Sequence, residues 1–373
     1  YLSWRYVFAA ETIIMIGVLL VANKIHDEKS TSKSSLDIPS VLLSASGMGM
    51  LVFCVLQSKT WGWITPKDAP TIGGQEIAPL GISIVAYLIL AGAAVLYWFY
   101  TRQKALESSG GNPLLKVSML SIPVLRSGLS VLLSQYFIIA ALFFVVPVYL
   151  QTILGNDALQ TGIKLIPLSI GLILFSAIGS KQSSKHSSRQ IVRWGQLAMA
   201  AGALLVLGSI EPELRNNLFW AGMFVIGAGF GLLASQLGNV NMSAVKKDDT
   251  AEVGGLQGTY QNMGTSLGTA LVGSVFMLTL TSGFTNAVNQ NSNLSEPVKQ
   301  QITTQSEKGV QIVSTAQAEE LLLSKGASQQ VADEVSQTYE DSQVQALKQA
   351  MFFVFVAAIA AYVLSRNLPN EKA

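Results

Sequence analysis

The chain has 373 residues, of which half are hydrophobic and only 12% charged, with a mean hydropathy of +0.43 and a formal net charge of +2. Soluble domains carry about 25% charged residues, so this composition excludes an ordinary soluble globular protein. A single cysteine, Cys54, excludes an intrachain disulfide.

Long apolar runs separated by polar loops predict an all-α polytopic membrane protein. About 20 residues at 1.5 Å rise cross a hydrocarbon core of about 30 Å, and lipid tolerates only helices or closed barrels. The runs are too long and too evenly apolar for barrel strands, which alternate over about ten residues. Nine spans are expected, at 5–23, 38–57, 78–101, 127–151, 160–180, 192–210, 217–239, 255–282 and 346–365. The first begins within a few residues of Tyr1, where Trp4, Arg5 and Tyr6 read as an interfacial belt rather than a cleaved signal.

Glu11 is the one acidic residue within a span core; it is read either as a proton site or as an interfacial partner of Arg5. Trp61 and Trp63, followed by Pro66 and Pro70, predict an interfacial turn after the second span. Pro147 and Pro167 fall within spans and predict kinks. In the span 255–282, Gln257, Tyr260 and Gln261 lie at spacings of three and four residues, hence on one face. Gln236, Asn239 and Asn241 end the preceding span, and Gln135 lies in the span near Arg126. These amides and the phenol are candidates for a polar substrate cavity; the alternative is interhelical hydrogen bonding at about 0.6 kcal/mol each. Three GxxxG pairs, Gly227/Gly231, Gly254/Gly258 and Gly264/Gly268, predict close helix packing.

Residues 283–345 form the one large polar insertion. Its Asn/Gln/Ser-rich first part, 285–306, is expected to be loosely ordered. Its second part reads as two helices, one broken at Gly326 and the next capped by Ser328. Asn293-Leu294-Ser295 matches a glycosylation sequon.

Alternate loops carry fifteen Lys and Arg on one side and five on the other, apart from the long insertion and its exit. The positive-inside rule then puts the C-terminus in the cytoplasm and the segment 283–345 outside. It also puts Tyr1 outside, so an odd number of spans is expected before it. No metal-ligand cluster, P-loop or nucleophile–base pair is present in the sequence. An enzyme is not expected, nor a cofactor or nucleic-acid partner. The expected partners are a small-molecule substrate, protons and the bilayer, with an ion gradient as energy source.

Several segments resemble the fourteen-span drug:proton antiporter branch of the major facilitator superfamily. Ser3-Trp4-Arg5-Tyr6-Val7-Phe8 is similar to the entry to its sixth span, and Asn112-Pro113-Leu114-Leu115 with Leu125-Arg126 resembles the loop before its ninth. Tyr149-Leu150-Gln151, Leu154-Gly155, Ala158 to Gly162 and Leu165-Ile166-Pro167 resemble the ninth-to-tenth hairpin. The resemblance implies an N-terminally truncated fold. Residues 1–23 would be the last helix of an N-terminal bundle, 24–104 two extra linker helices, and 105–373 a C-terminal six-helix bundle. Five spans, with the family's acidic coupling site, would precede Tyr1 and complete the transporter; this segment alone is then not expected to transport. The resemblance implies alternating access around a midplane cavity and favours Gln135, Gln236, Gln257, Tyr260 and Gln261 as its lining, beside the further candidate Asn239. It also places the loop bearing Lys181, Lys185, Arg189 and Arg193 where a basic cytoplasmic motif would be, without that motif's acidic residue.

Overall fold

A computed structural model describes residues 5–22, 37–292, 294–307, 312–324 and 326–370. Trp4, most of the loop before Asp37, and the sequon residue Asn293 lie outside them. The chain forms two units, residues 1–37 and 38–373.

The first unit contains one described helix, α1 (Arg5–Ala22). Arg5 and Glu11 both lie on its exposed surface. Six residues separate them, which is about 240° around the axis, so the helix itself does not align them as a pair.

The second unit contains α2 (Ile38–Trp61), α3 (Ile84–Ser108), α4 (Pro123–Val148), α5 (Ala158–Gln182), α6 (Ser188–Ser209), α7 (Asn216–Ser243), α8 (Thr250–Gln290), α9 (Glu296–Glu307), α10 (Thr315–Ser324) and α11 (Gln329–Leu364). Among the described residues eight helices are long and apolar enough to cross a membrane, not the nine expected. In α1 the apolar stretch is only Phe8–Ala22, short of the roughly 18 residues a span requires.

Local chemistry sets the helix ends. α3 starts six residues later than the apolar run suggests. Pro79–Gly81 forms a separate 3-10 turn with Leu80 and Gly81 at positive φ, and the Ser83 hydroxyl then accepts from the Val85 N–H. Pro123 opens α4, where its missing N–H costs nothing. Asp157 with Gln160, and Ser187 with Gln190, form reciprocal capping boxes that start α5 and α6. Two residues beyond Pro147, α4 passes into a five-residue π turn, Tyr149–Ile153. Between α2 and α3, Thr71–Ile72 (β1) pairs antiparallel with Gln75–Glu76 (β2) across Gly73-Gly74. Two glycines at positive φ permit that tight turn.

Helices α4, α5, α6, α7, α8 and α11 pack into one bundle; α2 and α3 form a hairpin that touches it through α2 against α8. The centre is α4 and α7, with 61% of the most apolar 18-residue stretch of each buried, against 17% in that of α5. The free side of α5 is a row of exposed apolar residues, Ile163, Ile166, Ile170, Ile173 and Ile178, as a lipid-facing helix requires.

Glycines set the closest helix approaches. A methyl group at Gly227 would sit 2.0 Å from the Leu168 carbonyl oxygen, and one at Gly231 2.4 Å from that of Leu172, so α5 and α7 run parallel, backbone to backbone. Gly264 and Gly268 bring α8 equally close to Leu133 and Phe137 of α4. Gly254 and Gly258 do not belong with them: a methyl group there would meet nothing within 4 Å among the described residues. At those two positions the glycines leave an open surface rather than a helix seam.

The insertion between spans is more ordered than its composition suggests. α8 has 41 residues and α11 has 36, so at 1.5 Å per residue each is longer than the roughly 30 Å core and both project beyond it. Phe284, Val288, Leu294, Val335 and Tyr339 join the main apolar core, and Val298, Ile302, Ala318 and Leu322 pack against it. Within the polar segment 285–306, residues up to Gln290 continue α8 and Glu296 onward form α9, with Val288, Val298 and Ile302 turned toward the core. Gly326, at φ 88°, follows α10, and the Ser328 hydroxyl accepts from the Val331 N–H to begin α11. Ser328→Ala is expected to cost about 1 kcal/mol, read as faster proteolysis between α10 and α11 with the bundle's thermal transition nearly unchanged.

Candidate functional site: a polar face on the α7–α8 pair

One end of the bundle gathers the basic residues and is tied by hydrogen bonds. The Arg189 side chain donates from Nε to the Leu368 carbonyl at 2.7 Å, and its backbone N–H donates to Pro369 O at 3.2 Å. Arg193 donates to Ser365 Oγ at 3.2 Å, with its guanidinium carbon 5.0 Å from the centre of the Tyr362 ring. Both arginines therefore fasten the start of α6 to the carbonyl-rich end of α11, where positive charge is favoured. Lys181 and Lys185 are exposed. The four basic residues thus divide into two that brace helices and two that face outward.

Gln236 belongs to the same tie rather than to an open cavity. Only 4% exposed, it donates to Gly179 O at 3.2 Å and accepts from Ser188 Oγ at 3.0 Å, joining α5, α6 and α7. Gln236→Leu is expected to destabilise the bundle by about 1–3 kcal/mol, since it leaves buried partners unpaired; a thermal-shift measurement reads this directly.

The remaining candidates separate by helix geometry. Asn239 is exposed, and Gln257 and Gln261 are half-buried. Gln257 Nε2 donates to the Gly238 carbonyl at 3.4 Å, which joins the open surfaces of α7 and α8. Gly238, Gly254 and Gly258 leave that surface without side-chain bulk, and exposed Asn262 and Thr265 continue it along α8. The structure therefore places Gln257 and Gln261 on one polar face of α8 beside Gly238, with Asn239 exposed at the next position of α7. Gln257 and Gln261 stand seven and eleven residues from Thr250, roughly 10–16 Å along the axis. The face lies in the first half of α8, toward its basic end.

Tyr260 turns elsewhere, packing against the cluster of Met119, Leu125, Leu129, Val253 and Leu256. Gln135 is 6% exposed within α4, and its Oε1 has no hydrogen-bond partner among the described residues. Asn241 is the informative case. It is fully buried, neither side-chain polar atom is paired among the described residues, and a methyl group at Gly128 would come within 1.9 Å of its Oδ1. Sequence reasoning grouped Asn241 with Asn239, but residues two apart on a helix differ by about 200°. One therefore faces outward and the other points into α4.

Beside this face, Lys116 forms an ion pair with Asp249 and lies 3.7 Å from Glu252, whose carboxylate also accepts the Lys116 backbone N–H at 3.0 Å. The hydrogen bond to Asp249, with both carboxylates nearby, holds the Lys116 pKa above its ordinary value and keeps the ammonium charged. The polar face itself carries amides and hydroxyls, groups that donate and accept hydrogen bonds without a net charge.

The sequence profile of the Major Facilitator Superfamily matches residues 1–269. The chain is 25% identical over 295 residues to a probable actinorhodin transporter of Streptomyces coelicolor, covering 78% of this chain and 48% of that protein. It is 24% identical over 276 residues to the tetracenomycin C resistance and export protein of Streptomyces glaucescens, covering 73% and 47%. It is 25% identical over 275 residues to a lincomycin resistance protein of Listeria monocytogenes, covering 72% and 53%. The chain spans about half the length of these curated relatives.

Proposed function

This chain belongs to the Major Facilitator Superfamily, and from that premise we propose that it serves in proton-coupled export of amphipathic small molecules, by the fourteen-span branch of that family. It is a multi-pass membrane protein of a transporter family, not of an enzyme family. The export reading is supported by the names of its relatives, which include resistance and export proteins. The observation that carries the site is the glycine-lined polar face of Asn239, Gln257 and Gln261, less buried than the helix amides Gln135, Gln196, Gln236 and Asn241.

In this reading the bundle α4–α8 with α11 is the C-terminal half of a rocking transporter, and α1 closes the N-terminal half. Helices α2 and α3 are the linker pair. The polar face borders the substrate path, and substrate moves in exchange for protons. The basic end is cytoplasmic, the segment 283–345 is outside, and the protein resides in the cell membrane. The test is dye and antibiotic accumulation in efflux-deficient cells expressing the complete reading frame that encodes this chain. The reading expects lower accumulation that is abolished when the proton gradient is collapsed. Accumulation unchanged by expression refutes it, and transport confined to one metabolite would favour a dedicated metabolite carrier.

A further inference from the structure

The α2–α3 hairpin is fastened to the bundle by more than contact along one helix side. Its two helices first lock to each other. A methyl group at Gly47 would fall 2.8 Å from the Leu96 side chain, and one at Gly92 3.2 Å from the Gly47 carbonyl oxygen. Gln103, toward the end of α3, is fully buried and uses both ends of its amide. Its Nε2 donates to Ser40 Oγ at the start of α2, and its Oε1 accepts the Leu115 N–H at 3.1 Å.

The connector between α3 and α4 is thereby part of the same knot. Glu107 accepts the Ser118 N–H at 3.3 Å and also the Ser118 hydroxyl. Met119, 3% exposed, joins Leu125 and Leu129 of α4 and Val253 and Leu256 of α8 in one apolar cluster. The Lys116 N–H donates to Glu252 at 3.0 Å, while its ammonium is held by Asp249 and lies 3.7 Å from Glu252. Together with Lys116, the stretch 246–252 carries three lysines and three acids, Lys246 and Lys247 included. This corner therefore supplies fixed geometry rather than a net charge. Residues 103–119 tie the ends of α2, α3, α4 and α8 to one another.

The opposite end is tied as well. Ser83 Oγ lies 3.0 and 2.8 Å from the Trp61 and Gly62 carbonyl oxygens, and the Ser83 N–H donates to Ile64 O at 2.7 Å. Trp63 Nε1 then reaches across to α8 and donates to Ser274 Oγ at 3.4 Å. Ser274 stands roughly 33 Å along α8 from Glu252, about the thickness of a hydrocarbon core. Two attachments that far apart prevent the tilting that a single pivot would allow. Bodies joined by open linkers and small polar interfaces move relative to each other by default; the knotted connector removes the first of those conditions.

We infer that the hairpin and the six-helix bundle form one rigid body, so that the hairpin travels with the bundle through the transport cycle as a brace on α8. The rigidity belongs to the chain itself; only its use in a cycle rests on the export reading.

The test is a pulsed spin-label distance measurement on the purified chain with Cys54→Ala in neutral detergent. The labels sit at Lys104→Cys on α3 and Lys181→Cys at the end of α5, both exposed positions. One narrow distance distribution is expected. Gln103→Leu with Lys116→Met removes the amide ties and the ammonium, and should broaden that distribution and add a second distance. Glu107→Leu with Lys116→Met cuts the more exposed ties if the first variant does not fold. A broad distribution in the parent, or an unchanged one in a folded variant, overturns the proposal. In the complete transporter, a short bifunctional thiol reagent bridging Trp63→Cys and Ser274→Cys should leave export at the rate of the unbridged double variant. Export lost on bridging overturns the shared movement. Absence of export before bridging refutes the export reading instead, and the spin-label distances still decide the rigidity.

Discussion

Replacing Gly227 by leucine is expected to prevent the six-helix bundle from assembling. Between membrane helices, close packing takes over much of the role that hydrophobic burial plays in water, so the α5–α7 seam depends on backbone approach. At Gly227 even a methyl group would fall 2.0 Å from the Leu168 carbonyl oxygen and 2.8 Å from its carbonyl carbon. Both atoms are main chain, so no rotamer change relieves the clash and the two helices must separate. Overpacking a core costs typically about 1–3 kcal/mol and more where the neighbour is rigid. Gly227→Leu is therefore expected to yield aggregated or proteolysed material in fluorescence-detected size-exclusion chromatography. Gly258→Leu, added to open space, should elute as the parent does. A monodisperse Gly227→Leu protein would show that the seam is looser than described.

The second large effect falls on transport rather than folding. The double variant Gln257→Leu with Gln261→Leu removes the side-chain amides of α8 from the polar face while keeping similar bulk and helix propensity. Both residues are half-buried, and among the described residues the one side-chain hydrogen bond made by either is the 3.4 Å contact from Gln257 to Gly238. The folded bundle should survive. Export by the complete transporter should fall about tenfold or more, as expected when two hydrogen bonds to substrate, each worth about 0.5–1.5 kcal/mol, are lost together. Drug accumulation assays, compared at equal membrane expression, read the difference. Export at parental rate in a well-expressed double variant would remove these residues from the substrate path.

The contrast between these two experiments shows which parts of the molecule are legible in its sequence. The apolar runs beyond α1 correspond to membrane-length helices because length and composition alone satisfy the bilayer. Helix starts at Ser83, Asp157 and Ser187 needed cap chemistry that apolar runs do not register. GxxxG spacing correctly marks four glycines as seams, yet the same spacing at Gly254 and Gly258 faces open space. A spacing rule fixes which residues share a helix side, not what lies opposite. The polar candidates divide for the same reason. Gln236 and Asn239 are three apart, but Gly179 and Ser188 lie next to the first while the second is exposed. The two helices of the insertion's second part are legible from spacing and from the Ser328 cap, whereas sparse apolar composition conceals the helical parts of 285–306, where a few residues such as Val288 join the same core as Val335 and Tyr339.

The face on α7 and α8 can be separated from a lipid-facing surface by one labelling measurement. Cys54 is the only cysteine and is buried, so a Cys54→Ala background accepts a reporter at Gln261. A membrane-impermeant maleimide should label Gln261→Cys in inverted membrane vesicles, and a transported compound should slow the reaction. Ile173→Cys, on the exposed apolar row of α5, should remain unlabelled under the same conditions. If Gln261→Cys is as unreactive as Ile173→Cys, or reacts at the same rate with and without substrate, the polar face is not part of a substrate path.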